Sequence, residues 1–448
     1  LKPNITRKWV VGLTKLLFFS ILFTPYLPPV FLFFIGIITF FIYKERWFVN
    51  RWPEKIFLSF LLLSAVSWLF NPSWYTITTE PVPIQAFPVG IIPVFLFGFY
   101  YLLTIWLKRI VCWSFEDVKK MYLQFWLSGL YVVAIVFLQQ LDWTHWPDSW
   151  LKDVLQFYKE FQWQSENTSR SVGTTGNSNI TAALLICFAL MSVYSLFILR
   201  KRWQKITTLA IFFLFCYAIY VTGSRGAWIG LVAGLFAQVW MMGYRKITLG
   251  ISFSLAGLVV LFPNLIPRSE TMMSTFQARL KIWLVALEIF KENWLLGTLP
   301  LHFGELFREK TGMAVYHAHN VFVGIAVEFG IIGLSLFMTL IIVTIIKARS
   351  WRKQTKSKEE KCLAGMLVSL IIALLGHGLY DYPLLTPQVG LIFMLSIIMI
   401  HLLAERVEKN QTKGNTGQNL YPLKLMVPKS LSAVIMGVKN VFKLKKEG

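Results

Sequence analysis

The residues with the clearest chemical potential are His317 and His319, the one close pair among six histidines, followed at once by Asn320 and a long apolar run over 321–346. An imidazole titrates near neutrality, with an ordinary pKa of about 6.5, and serves as general base or acid. A pair at the border between a polar segment and an apolar helix is therefore a candidate reaction centre. For His317 the alternative is a solvated loop histidine.

Cationic candidates lie elsewhere in the chain. Arg225 stands in the turn Thr222-Gly223-Ser224-Arg225-Gly226. The flanking glycines permit close backbone approach, and a guanidinium fork suits a phosphate or diphosphate, although an arginine at a membrane edge also snorkels to headgroups. Arg170 opens a Gly/Asn-rich stretch, 170–179, in which Asn177 and Asn179 lead into an apolar helix. Such an entry offers backbone donors to an anion or to sugar hydroxyls, and Asn is equally an ordinary helix cap. Asp381 orients a histidine, binds a sugar or is a solvated helix end. No D-x-D pair, H-E-x-x-H, G-x-S-x-G or Walker loop is present, so phosphate chemistry here is expected to need no metal and no cofactor.

Composition decides what must position these groups. With 56% hydrophobic and 15% charged residues and a mean hydropathy of +0.59, the chain reads as an all-α, polytopic membrane protein. Twelve spans are expected, near 9–24, 28–43, 56–70, 90–107, 121–141, 180–199, 206–222, 227–243, 247–263, 321–346, 362–380 and 384–403. A Trp-rich amphipathic piece, 150–163, precedes the sixth. The twelve spans form one transmembrane domain, 1–403, and 404–448 is a basic amphipathic tail lying on the membrane surface. The segment 264–320 leaves the membrane between spans nine and ten. Within it Phe276, Leu280, Trp283, Leu284, Leu287 and Phe290 recur at helical spacing, with Gln277, Arg279, Lys281, Glu288 and Lys291 largely on other faces, which describes an amphipathic helix lying against the membrane or over a cleft, as a structural cap or a lid.

The net charge of +22 reads as topology. Placing both termini in the cytoplasm puts most lysines and arginines inside, which leaves His317, His319 and Asn320 on the outer face. Nucleic acid is thereby a poor partner, and membrane lipids are the expected one. Cys112, Cys187, Cys216 and Cys362 lie far apart and argue against disulfides or a zinc site.

His319-Asn320, nine residues, then Gly330-Ile331-Ile332-Gly333 resembles the signature of the O-antigen ligase and O-antigen polymerase superfamily. The Thr222–Gly226 turn, the Arg170–Asn179 stretch and Arg279-x-x-x-Trp283 before a Leu-Leu-Gly turn are similar to it as well. Asn293-Trp294 stands where the family often has proline before the Leu-Leu. The resemblance implies a GT-C-like bacterial glycosyltransferase in the cytoplasmic membrane. Its donor would be an undecaprenyl-diphosphate-linked glycan and its acceptor a saccharide or lipid-linked saccharide. On that reading His319 is the base, Arg225 and Arg279 hold the diphosphate, Arg170 is a further candidate, and His317, Asn177, Asn179, Asn320 and Asp381 border the substrate. Gly330 and Gly333 are expected to let span ten pack closely against a neighbour. Direct displacement would invert the anomeric centre. A protein O-oligosaccharyltransferase of the same superfamily and a flippase for lipid-linked sugars are the competing readings.

Overall fold

A computed structural model describes residues 3–42, 51–70, 91–113, 115–141, 170–244, 246, 250, 269–300 and 302–416. Among them every regular element is helical. In chain order these are α1 (Pro3–Phe23), α2 (Leu27–Ile42), α3 (Trp52–Phe70), α4 (Ile92–Trp113), α5 (Phe115–Ser128), α6 (Leu130–Gln140), α7 (Ser178–Ile198), α8 (Arg202–Val221), α9 (Arg225–Met242), α10 (Met272–Glu292), α11 (Phe303–Thr311), α12 (Val321–Gln354), α13 (Lys358–His377) and α14 (Pro387–Thr416). Among the described residues seven helices are long and apolar enough to cross a membrane, with α5 and α6 counted as one, and α1, α2 and α4 contain shorter apolar stretches. The helix expected near 227–243 forms as α9. The expected span at 247–263, the piece at 150–163 and most of the tail lie outside the described residues.

The centre of the bundle is α7, α13 and α14, whose apolar residues are buried almost all round. Small side chains make this possible: Ala182, Ala183, Ala189, Ser192 and Ser195 of α7 are fully buried and let neighbours approach. By contrast α8 presents Leu209, Phe213, Tyr217 and Tyr220 outward, the composition of a surface that meets lipid. Gly226, Gly230 and Gly234 pack α9 against α13, and a Cβ at Gly230 would come 2.6 Å from the carbonyl oxygen of Ala373. This pairing brings the start of α9 to the end of α13.

A second, smaller core lies beside that end. Ala286 and Ile289 of α10, Phe303 and Phe307 of α11, Ala318 and Val327 form it. The apolar side of α10 expected to lie against the membrane or over a cleft divides in two. Phe276, Leu280, Leu284 and Leu287 are exposed, whereas Thr275, Arg279 and Trp283, spaced one turn apart, meet partners on the bundle.

The expectation that Gly330 and Gly333 serve packing against a neighbour is refined. At Gly330 α12 breaks, with φ 65° and ψ −170°, a conformation that only glycine adopts without strain. The break strands backbone groups, and the segment before α11 satisfies them. Thr298 and Leu299 donate N–H groups to the carbonyls of Val327 and Glu328 at 2.8 and 2.7 Å, and Ile331 donates to Trp294 O at 2.8 Å. A Cβ at Gly330 would stand 2.2 Å from Leu295 O, and one at Gly297 would stand 2.4 Å from Phe329 N. Two backbones touch there, which is why both positions are glycine.

Candidate functional site

The loop that follows α13 is sewn to the start of α12. Val321 N donates to Gly378 O at 2.8 Å, and Asn320 Nδ2 donates to Leu379 O at 3.0 Å. Tyr382 O–H donates to the buried Glu328 Oε2 at 2.8 Å, with its ring so close over Gly324 that a Cβ there would clash at 2.4 Å. These ties fix Asp381 against the histidine pair. Asp381 is buried, not a solvated helix end. Its Oδ1 lies 3.1 Å from His319 Nδ1 and 3.9 Å from His317 Nε2.

Burial works to raise the Asp381 pKa, but the hydrogen bond from His319 and the neighbouring imidazoles outweigh it and hold the carboxyl well below the usual range. An ionised carboxylate only accepts, so His319 Nδ1 carries the proton in their hydrogen bond, which leaves Nε2 as the nitrogen that can exchange a proton with a substrate. His317 is not a solvated loop residue. Its Nδ1 accepts the backbone N–H of His319 at 3.2 Å. Burial, helped by repulsion from His319, lowers its pKa to about 4 despite Asp381. His319 itself stands at φ 47°, in the left-handed region that side chains rarely enter.

Beside this dyad opens a polar cavity of about 190 Å³, lined in part by Arg170, Asn179, Arg225, Arg279, His377 and Asp381. Arg170 is clamped between elements, donating from Nε to Thr222 O and from Nη2 to Asn179 Oδ1, each at 2.8 Å. Arg225, the first residue of α9, donates from Nη2 to Thr275 Oγ1 of α10 at 2.8 Å. Arg279 lies 5.9 Å from the centroid of the Tyr380 ring, on which Trp283 also packs. The Arg279-x-x-x-Trp283 spacing thus places both residues on the one face of α10 that meets Tyr380.

His317 and His319 border the cavity through Asp381 and are not themselves among its lining residues, nor are Asn177 and Asn320, which have other work. Asn177 Oδ1 caps α7, accepting from Asn179 N and Ile180 N. Asn320 Oδ1 caps α12, accepting from Phe322 N and Val323 N. The backbone donors expected over 170–179 are partly engaged as well, since Val172 N and Gly173 N donate to Gln139 Oε1 at 3.0 and 2.9 Å. Sequence reading missed Thr275, Tyr380 and His377 as cavity residues. The only signal for the last two was their closeness to Asp381 in the chain.

His317, His319 and Asp381 also offer one ligand atom each within 4.8 Å of one another, a donor set of the kind that divalent metals take. Sequence spacing did not reveal it, because the aspartate arrives from another element. The 3.1 Å contact of His319 with Asp381 serves equally to orient a base.

Helices long and apolar enough to span a bilayer, with an arginine-rich polar cavity at one end, describe a polytopic membrane protein. Residues 209–338 match the family described as O-antigen ligase, and this match over part of the chain supports a relation to the O-antigen ligase/polymerase superfamily. The match takes in Arg225, Arg279, both histidines and Gly330. A search of curated proteins gives no match.

Proposed function

We propose that this protein is a metal-independent, inverting membrane glycosyltransferase. It moves a glycan from an undecaprenyl-diphosphate-linked donor to an acceptor saccharide at the outer face of the cytoplasmic membrane. One observation supports this above the others: three arginines from separate elements share a cavity with an aspartate that orients His319. About 190 Å³ suits a diphosphate group and leaves lipid and glycan to extend beyond it.

In the reaction, His319 Nε2 accepts the proton of the acceptor hydroxyl as that oxygen attacks the anomeric carbon. The bond from that carbon to the diphosphate oxygen breaks, and the electron pair leaves with the lipid diphosphate. Arg225, Arg279 and Arg170 balance the charge that accumulates there, a role in which fixed donors cost little reorganisation. Asp381 keeps the proton on Nδ1 and stabilises the imidazolium. Attack opposite the leaving group inverts the centre.

The test is transfer by purified protein from an undecaprenyl-diphosphate glycan to defined saccharide, lipid-linked saccharide and peptide acceptors. His319→Asn, which tolerates the left-handed backbone, is expected to lower turnover about 10²- to 10⁴-fold, the usual contribution of a general base. Wild-type turnover in that variant would remove the base assignment. Activity abolished by EDTA and restored by a divalent ion would instead make His317, His319 and Asp381 a metal site. Movement of the lipid-linked sugar with no new glycosidic bond would favour a flippase.

A further inference from the structure

Among the residues lining the cavity, His377 is anomalous. It is fully buried, and among the described residues neither ring nitrogen has a hydrogen-bond partner. A buried polar group left in this state is costly, so an imidazole is seldom kept there without a partner to meet.

Its position is enforced by packing. His377 is the last residue of α13, pressed against the glycines of α9. A Cβ at Gly230 would come within 3.0 Å of His377 Cβ, and one at Gly226 would lie 3.8 Å from its Nδ1. The ring therefore sits beside the turn that presents Arg225, on the wall of the cavity that Arg170, Arg279 and Asp381 also line. Asp381 is engaged by His319. Guanidinium groups only donate, so the arginines offer the ring no acceptor. The ligand that satisfies every group at once is rich in acceptor oxygens and negatively charged.

We propose that His377 is a substrate-binding residue, donating its ring N–H to a non-bridging oxygen of the donor's diphosphate. The inference rests on the glycosyltransferase reading and adds to it a contact from the last residue of α13.

The experiment measures binding, not turnover, with the full chain in nanodiscs and undecaprenyl diphosphate as the probe. Dissociation constants and ligand-free melting temperatures are compared for wild type, His377→Phe and His377→Gln. The expected result is about tenfold weaker binding by His377→Phe, a ligand-free melting temperature equal to or above wild type, and affinity within about threefold of wild type for His377→Gln, whose amide restores a donor. Undiminished affinity in His377→Phe overturns the contact, while the wild type's own binding leaves the glycosyltransferase reading standing. A wild type that does not bind the probe removes that reading, and the contact with it. If His377→Phe does not fold, the comparison passes to His377→Asn, whose side chain is too short to reach: tenfold weaker binding supports the contact and wild-type binding overturns it.

Discussion

His319 works from a strained position. A non-glycine residue at φ 47° costs about 1–2 kcal/mol relative to ordinary backbone, and here the contacts that hold it are the ones that aim it. One is the hydrogen bond from His319 N to His317 Nδ1, which survives only while that nitrogen is unprotonated. Burial lowers the His317 pKa to about 4, against about 6.5 for an unfolded histidine. Between those values the unfolded chain binds more protons than the folded one. This contribution to stability is therefore fully present above pH 6.5 and is lost as the pH falls towards 4, by on the order of 2 kcal/mol at pH 5. Melting temperatures of the purified protein between pH 7.5 and 5 are expected to fall more steeply for wild type than for His317→Asn, which keeps a carbonyl acceptor but does not titrate. Equal slopes would show that His317 carries no such linkage. The identity of these histidines was legible from their spacing. Their partner was legible only as one of three readings of Asp381, because it lies 62 residues further on than His319 and reaches it only through the ties between α12 and the loop after α13.

At the scale of elements, the break in α12 is the device that joins the site to the bundle. Gly330 makes room for the 294–299 segment, and that segment anchors α10, which carries Arg279. Alanine at 330 would meet Leu295 O at 2.2 Å and would have to adopt a positive φ, so backbone must move. Gly330→Ala is expected to destabilise by about 3 kcal/mol or more, the scale of combined backbone strain and overpacking. It should also lower transfer by detaching Arg279 from the cavity. A variant that melts like wild type and transfers normally would show that the contact between the two backbones is dispensable. The Gly-x-x-Gly spacing was visible in sequence as a place of close packing against a neighbour, and at Gly330 the neighbour is the backbone of Leu295 and Gly297. What the spacing could not show is that the helix breaks there, since a glycine in an apolar run looks the same with or without a break. Amphipathic patterning left open whether α10 lies against the membrane or over a cleft; Leu280, Leu284 and Leu287 are exposed, as a lipid-facing side would be, while Arg279 and Trp283 turn towards Tyr380 at the polar cavity.

Across the whole molecule, hydropathy located most helices but could not rank them, because lipid is as apolar as a protein core. Of the strongest 18-residue windows, 83% is buried in α7 and 89% in α14, against 22% in α8, although all three read as spans. Small residues in α7 and large exposed aromatics in α8 are the sequence trace of that difference. Charge carries more. Lys119 pairs with Glu359, Lys347 with Glu408 and Arg51 with Glu405. All three pairs gather at the end of the bundle opposite the arginine cavity, as α12 and α13 run from one end to the other. If the positive-inside rule holds, that end is cytoplasmic. Trp203 near it and Met313 near the cavity are both exposed, which makes them clean reporters in a background lacking the four native cysteines. In intact cells a membrane-impermeant maleimide is expected to label Met313→Cys at once and Trp203→Cys only after permeabilisation. The reverse pattern would put the cavity on the nucleotide side of the membrane. A lipid-linked donor would then lose its topological support, because sugar nucleotides would be within reach of His319.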